Sequence, residues 1–172
     1  MRWYVLQVSS GQEKAVRDAL HEKRIPALVP SENRLVRKGG EGTQKEYILF
    51  PGYVFLRLGY TSETYYRVRS IPHAGRLLGP PGDPPVPLSY LEAEWIGLLS
   101  GGGKPLEPAK AAKLPDDTLQ IESGVPKSFP AHAVSYDTRA RRVKLELTIC
   151  GEPKTITLSF ILTDRDPVDQ VG

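Results

Sequence analysis

At 172 residues and 19.0 kDa, with 40% hydrophobic and 25% charged residues, the chain has room for one large domain or two small ones and is too apolar for a disordered protein. Basic residues outnumber acidic ones 13 to 7 in residues 1–79, but not in 80–115 (3 to 4) or 116–172 (7 to 9), so an anionic partner is expected on the first half. No apolar run approaches the ~18 residues of a membrane span, residues 1–7 lack a signal-peptide core, and the single Cys150 excludes an internal disulfide framework, which together point to a cytoplasmic protein.

Residues 2–8 carry Trp3, Tyr4, Val5, Leu6 and Val8 and read as a strand covered on both faces. A helix follows over 12–24. Ala15, Val16, Ala19 and Leu20 mark one side, and Lys14, Arg17, His21 and Arg24, spaced 3, 4 and 3 apart, mark the other. Residues 25–30 are a short extended piece. Residues 32–46 read as a strand running into a mobile basic hairpin tip with Arg34, Arg37, Lys38 and Lys45 around Gly39, Gly40 and Gly42. Strand-like runs at 47–50 and 53–58 are split by Pro51-Gly52. A short helix is expected over 62–69 and a strand over 75–79, then a Pro-rich loop over 80–87. Ser89 and Glu92 have capping-box spacing, starting a helix that buries Leu91, Trp95, Leu98 and Leu99.

Gly101-Gly102-Gly103 stops that helix, and residues 104–115, with three prolines and three lysines, have the composition of a linker. Beyond it the period becomes 2. Val143, Leu145, Leu147 and Ile149 alternate with polar residues, as do Ile156, Leu158 and Phe160, across a turn at 150–153. With shorter strands at 118–121 and 131–136, this reads as a small closed barrel. The expected organisation is a domain over 1–100, a flexible linker over 101–115 and a barrel over 116–172, with a monomeric chain.

This order, together with Trp3-Tyr4-Val5, Phe50-Pro51-Gly52-Tyr53-Val54, Arg69-Ser70-Ile71-Pro72, Pro87-Leu88-Ser89 and the barrel pattern of 137–151, resembles the NusG family of transcription factors over nearly the whole chain. The resemblance implies an α+β chain: an N-terminal α/β sandwich (the NGN domain, an antiparallel sheet with flanking helices) and a five-stranded SH3-like KOW barrel. It implies that Tyr4, Phe50 and Tyr53 line a depression for the clamp helices of the RNA polymerase largest subunit, with Trp3 and Phe55 in the core. It further implies that the barrel, through Phe129 and Ile149, meets the termination factor Rho or the ribosomal protein NusE. Where the family has Gly-Pro-Phe, Gly and Phe-Gly, this chain has 124–129, Ala131 and Cys150-Gly151. These departures point to a specialised branch similar to the RfaH and LoaP subfamilies, which read a leader RNA hairpin or non-template DNA.

Three basic groups are candidates for that contact: Lys14, Arg17, His21 and Arg24; Arg34, Arg37 and Lys38; and Arg69, His73 and Arg76. Rows of cations attract phosphates, but Glu13, Asp18, Glu22, Glu32, Glu41 and Glu46 lie among them, so a solvated face fits as well. No catalytic motif stands out. The three His are far apart and none shares a metal spacing with Cys150, while 101–104 lack the Ser/Thr of a phosphate loop. The expectation is therefore a non-enzyme without cofactor or metal.

Overall fold

Alternation along residues 2–8 puts Tyr4 and Leu6 on one side of a strand and Trp3, Val5 and Gln7 on the other. In the computed structural model, which describes residues 1–163, this strand, β1 (Arg2–Val8), lies inside the first sheet. It pairs antiparallel with β5 (Tyr53–Leu58), from Arg2 opposite Leu58 to Gln7 opposite Tyr53, and with β6 (Ala74–Leu77). The two-residue β2 (Ala27–Leu28) completes the order β2-β5-β1-β6. Helices α1 (Glu13–Glu22) and α2 (Ser62–Arg69) cover one face, where Val16, Leu20 and Val68 join Tyr4, Leu6, Val54, Leu56 and Leu58 in one core. Val5 and Phe55, on the opposite face, are also fully buried, so the sheet is a covered middle layer.

Helix α3 (Tyr90–Leu99) begins at the capping box read from the sequence: Ser89 Oγ accepts the Glu92 N–H and the Glu92 carboxylate accepts the Ser89 N–H. Its buried side differs from the expected one except at Leu99. Glu92 and Ile96 face inward with Leu99, whereas Leu91 and Leu98 are exposed and Trp95 is half-buried. The helix is apolar nearly all round, so hydrophobic spacing alone did not select its inner face. Helix α2 has a second capping box, between Thr61 and Thr64.

Contacts divide the chain into two units. One holds Met1–Ser31, Ile48–Leu106 and Thr148–Pro153; the other holds Glu32–Tyr47, Glu107–Leu147 and, of the described residues, 154–163. The second is built on a five-stranded sheet of order β8-β7-β11-β10-β9, a small barrel, formed by β7 (Ala109–Lys113), β8 (Leu119–Ser123), β9 (Val134–Asp137), β10 (Arg142–Ile149) and β11 (Glu152–Leu162). Val143, Leu145, Leu147, Ile156, Leu158 and Phe160 form its interior as the alternation required. Two expectations change. The stretch 101–115 is not all linker, because β7 lies in it and pairs in parallel with β11, Ala109 opposite Phe160. The hairpin of β3 (Ser31–Lys38) and β4 (Glu41–Ile48) groups with the barrel strands rather than with residues 1–100. Gly124, at φ +112° with a would-be Cβ only 2.8 Å from Ala109, permits the close approach of that loop to β7.

Candidate functional site

Strand parity divides the expected aromatic set. Tyr4 stands opposite Leu56 and shares its face with Leu6; Tyr53 stands opposite Gln7 and shares the other face with Phe55. Tyr4 is therefore not part of one depression with Tyr53. It is 7% exposed, belongs to the core beneath α1 and α2, and its ring lies 6.3 Å from that of Tyr60. Phe50 is buried and packs edge-on against Phe55, with ring centroids 5.2 Å apart. Tyr53 is half-buried, and so is Trp3, expected in the core. The turn carrying Phe50 and Tyr53 is tightly held: the Tyr53 N–H donates to Phe50 O at 3.1 Å and the Val8 N–H to Gly52 O at 2.8 Å. Gly52 supplies the left-handed φ of +84°. Beside it lies Glu13, 2% exposed, whose Oε2 receives the Gly52 N–H at 3.4 Å while Oε1 has no partner.

Lys14, Arg17 and His21 lie on α1 and reach the surface. Arg17 Nε is 3.1 Å from Asp18 Oδ1, and His21 Nε2 is hydrogen-bonded to Ala27 O at 2.9 Å. Arg24 lies past the helix end at φ +60° and does not extend the row. A cleft of about 450 Å³ runs along Arg17, Asp18 and His21 to Trp3 and Gly103.

Arg34 is a correction. Its Nε donates to Glu32 Oε1 at 2.8 Å and its Nη2 to Thr157 O at 2.7 Å, and its guanidinium lies 4.6 Å over the Tyr47 ring. The Glu32 carboxylate, 1% exposed, also accepts the Ser159 N–H at 2.9 Å to each oxygen. Arg34 thus neutralises a buried carboxylate between β3 and β11 instead of offering itself to a phosphate. The side chains of Arg37 and Lys38 lie outside the described ones.

The third group stays together. Arg69, His73 and Arg76 are all exposed around β6; Arg69 Nη1 donates to Gly75 O at 2.8 Å and Arg76 Nη1 to Gly79 O at 3.1 Å. His73 adopts φ +70°, and its carbonyl accepts the Ser9 N–H. Next to them is a feature that sequence reasoning passed over: the rings of Tyr60, Tyr65 and Tyr66 form a chain with centroids 6.4 and 5.4 Å apart. Three tyrosines within seven residues were the available signal.

Phe129, in the second unit, and Ile149, at the end of β10 in the stretch that groups with the first, are 6% and 1% exposed, so both are buried rather than presented. Their inward positions follow from burial of the β10 alternation and from a turn that closes the Phe129 N–H onto Pro126 O. In the first unit, the Gly151 N–H donates to Glu92 Oε2 at 3.0 Å and Cys150 Sγ lies 3.5 Å from Val86 O. Burial pushes the Glu92 carboxyl upward. Hydrogen bonds from the Gly151 and Ser89 backbone and from the Thr148 and Ser89 side chains outweigh it and hold the group below its ordinary value. Burial, then the Glu92 charge, pushes the Cys150 thiol up to about 11. Among the described residues, no group of three or more His, Cys, Asp or Glu is placed to hold a metal ion, and no helix is long and apolar enough to cross a membrane.

Residues 1–96 match the family described as transcription termination factor NusG. The transcription termination/antitermination protein NusG of Buchnera aphidicola (strain Bp) is 31% identical over 170 residues, covering 92% of this chain and 93% of its own. The protein of the same description from Escherichia coli K12 is 28% identical over 175 residues, covering 95% and 96%. A solved structure described as domain interaction in Thermotoga maritima NusG matches 92% of this chain with a TM-score of 0.53 at 22% identity, a likeness of fold.

Proposed function

The chain belongs to the NusG family of transcription termination/antitermination factors, and we propose that it binds elongating RNA polymerase through the face of the first sheet that carries Tyr53. The observation that carries this reading is the held turn: Phe50 and Phe55 pack edge-on in the turn and strand that bear the half-buried Tyr53, so an aromatic side chain on a held backbone is presented at little entropic cost. The partner surface is the clamp-helix tip of the largest subunit. Binding there favours the elongating state over the paused one by the difference in affinity for the two. Arg69, His73 and Arg76, with Lys14, Arg17 and His21, meet nucleic acid beside the enzyme. The protein works in the cytoplasm as a processive antiterminator at selected operons, reading a leader RNA hairpin or non-template DNA. The replacements at Ala131 and Cys150 support a specialised role.

A second reading has its own support in the relatives' description as termination/antitermination proteins: a general factor that couples polymerase to Rho or, through NusE, to the ribosome. The test is binding of the full chain to its host's polymerase. Tyr53→Ala is expected to weaken it about 10- to 30-fold, the loss of one interface anchor; unchanged affinity overturns the assignment. Occupancy along the genome separates the roles, with signal at a few long operons for the first and at every transcribed gene for the second.

A further inference from the structure

Tyr60, Tyr65, Arg76, Leu77, Pro81 and Asp83 line a cavity of about 500 Å³ in the first unit, bounded by the start and middle of α2, by β6 and by the proline loop that follows it. The Tyr60 and Tyr65 rings stand nearly perpendicular, at 79° with centroids 6.4 Å apart, so together they form a floor and a wall. The exposed Tyr60 ring lies 6.3 Å from the buried Tyr4 ring. Among the described residues, Arg76 is tied by one N–H to Gly79 O, a single bond for a guanidinium with five donors. Arg69 follows Tyr65 by four positions, on the same face of α2. Its guanidinium is braced on Gly75 O, one residue before Arg76, so a second cation is held near the β6 strand that supplies Arg76 to the cavity. Asp83 is exposed beside Pro81, its N–H turned back to Pro80 O, and offers acceptors suited to a base amine and unsuited to a phosphate.

We propose that this cavity takes one unstacked base of a single-stranded nucleic acid, stacked on Tyr65 against Tyr60, with Arg69 and Arg76 on the adjoining phosphates. Unpaired bases are held in this way on aromatic faces and guanidinium planes, and a duplex, whose bases are already stacked, cannot enter. The inference rests on the nucleic-acid part of the reading above and is independent of the polymerase surface.

The experiment uses the full chain with short single-stranded DNA and RNA oligonucleotides carrying one 2-aminopurine, read by anisotropy for affinity and by quenching for stacking. The wild type is expected to quench the base and to prefer single strands over the matching duplex. Tyr65→Leu is expected to abolish quenching and weaken binding about 5- to 100-fold, with Tyr65→Phe retaining both. Arg76→Gln, at an exposed position that leaves the rings in place, is expected to weaken binding and flatten its salt dependence. The stronger of the DNA and RNA arms identifies the strand. Quenching and affinity that survive Tyr65→Leu overturn the cavity assignment, and so does equal binding of duplex. If they survive it while Lys14→Gln with Arg17→Gln lowers affinity, the chain binds nucleic acid elsewhere. No binding by the wild type overturns both the cavity and the nucleic-acid reading, while polymerase binding, measured separately, stands or falls on Tyr53.

Discussion

Replacing Arg34 by Met tests whether this residue neutralises a buried carboxylate. Glu32 is 1% exposed and has two partners, the Arg34 Nε at 2.8 Å and the Ser159 N–H. A unit pair about 4 Å apart at an effective dielectric constant near 20 is worth about 4 kcal/mol, and removing one member of such a pair costs about 3–5 kcal/mol. Arg34→Met is therefore expected to destabilise the second unit by about 3 kcal/mol. Glu32→Gln costs less, since the Arg34 side chain, 17% exposed, can turn to water, and the double variant Glu32→Leu/Arg34→Met recovers most of the loss. Urea unfolding and hydrogen exchange of the Ser159 amide measure these effects. A loss under about 1 kcal/mol refutes the reasoning.

The remaining predictions concern the first unit. Glu92 titrates below its ordinary 4.5 when folded, so its contribution is complete above that value and fades as pH falls through the depressed one. The difference in melting temperature between wild type and Glu92→Gln, corresponding to about 1–2 kcal/mol at pH 7, should shrink steadily below pH 4.5. With its thiol moved from 9.0 to about 11, Cys150 should react with iodoacetamide at pH 7.5 about 100-fold more slowly than an ordinary thiol, and Glu92→Gln should accelerate it. A Cβ on Gly75 would lie 2.7 Å from the Gln7 carbonyl oxygen, so Gly75→Ala should lower stability by about 1–3 kcal/mol, read as a lower urea midpoint with unchanged slope.

Elements whose residues face one environment along their length were legible in the sequence. The alternation of β10 and β11 fixed their inward residues, and the apolar run of β1 announced a strand covered twice. Strand β7 escaped because Ala-Lys-Ala-Ala-Lys has little local preference for a strand; its pairing with Phe160 and Ile161 is set some fifty residues away. The split of Tyr4 from Tyr53 depends on the register between β1 and β5, which neither strand encodes by itself. Charge was misread for a related reason. Glu32 and Arg34 look solvated in a hairpin with other charged residues, and only the arrival of Thr157 and Ser159 makes the pair an internal one. At α3 the sequence offers apolar residues in nearly every direction, so the cap and the Gly151 contact decided which face turned in.

The parallel pairing of β7 with β11 also has a consequence for synthesis on the ribosome. The first sheet has all its strands once residue 77 has emerged, whereas the edge of Ala109–Ala111 that meets Phe160–Leu162 has no partner until the last part of the described chain appears. During that interval the nascent protein carries an open, apolar strand edge, the kind that recruits other chains. Lys110 and Lys113, both exposed, flank the small buried alanines of this strand. Charges placed so along a strand oppose the docking of other chains on a waiting edge.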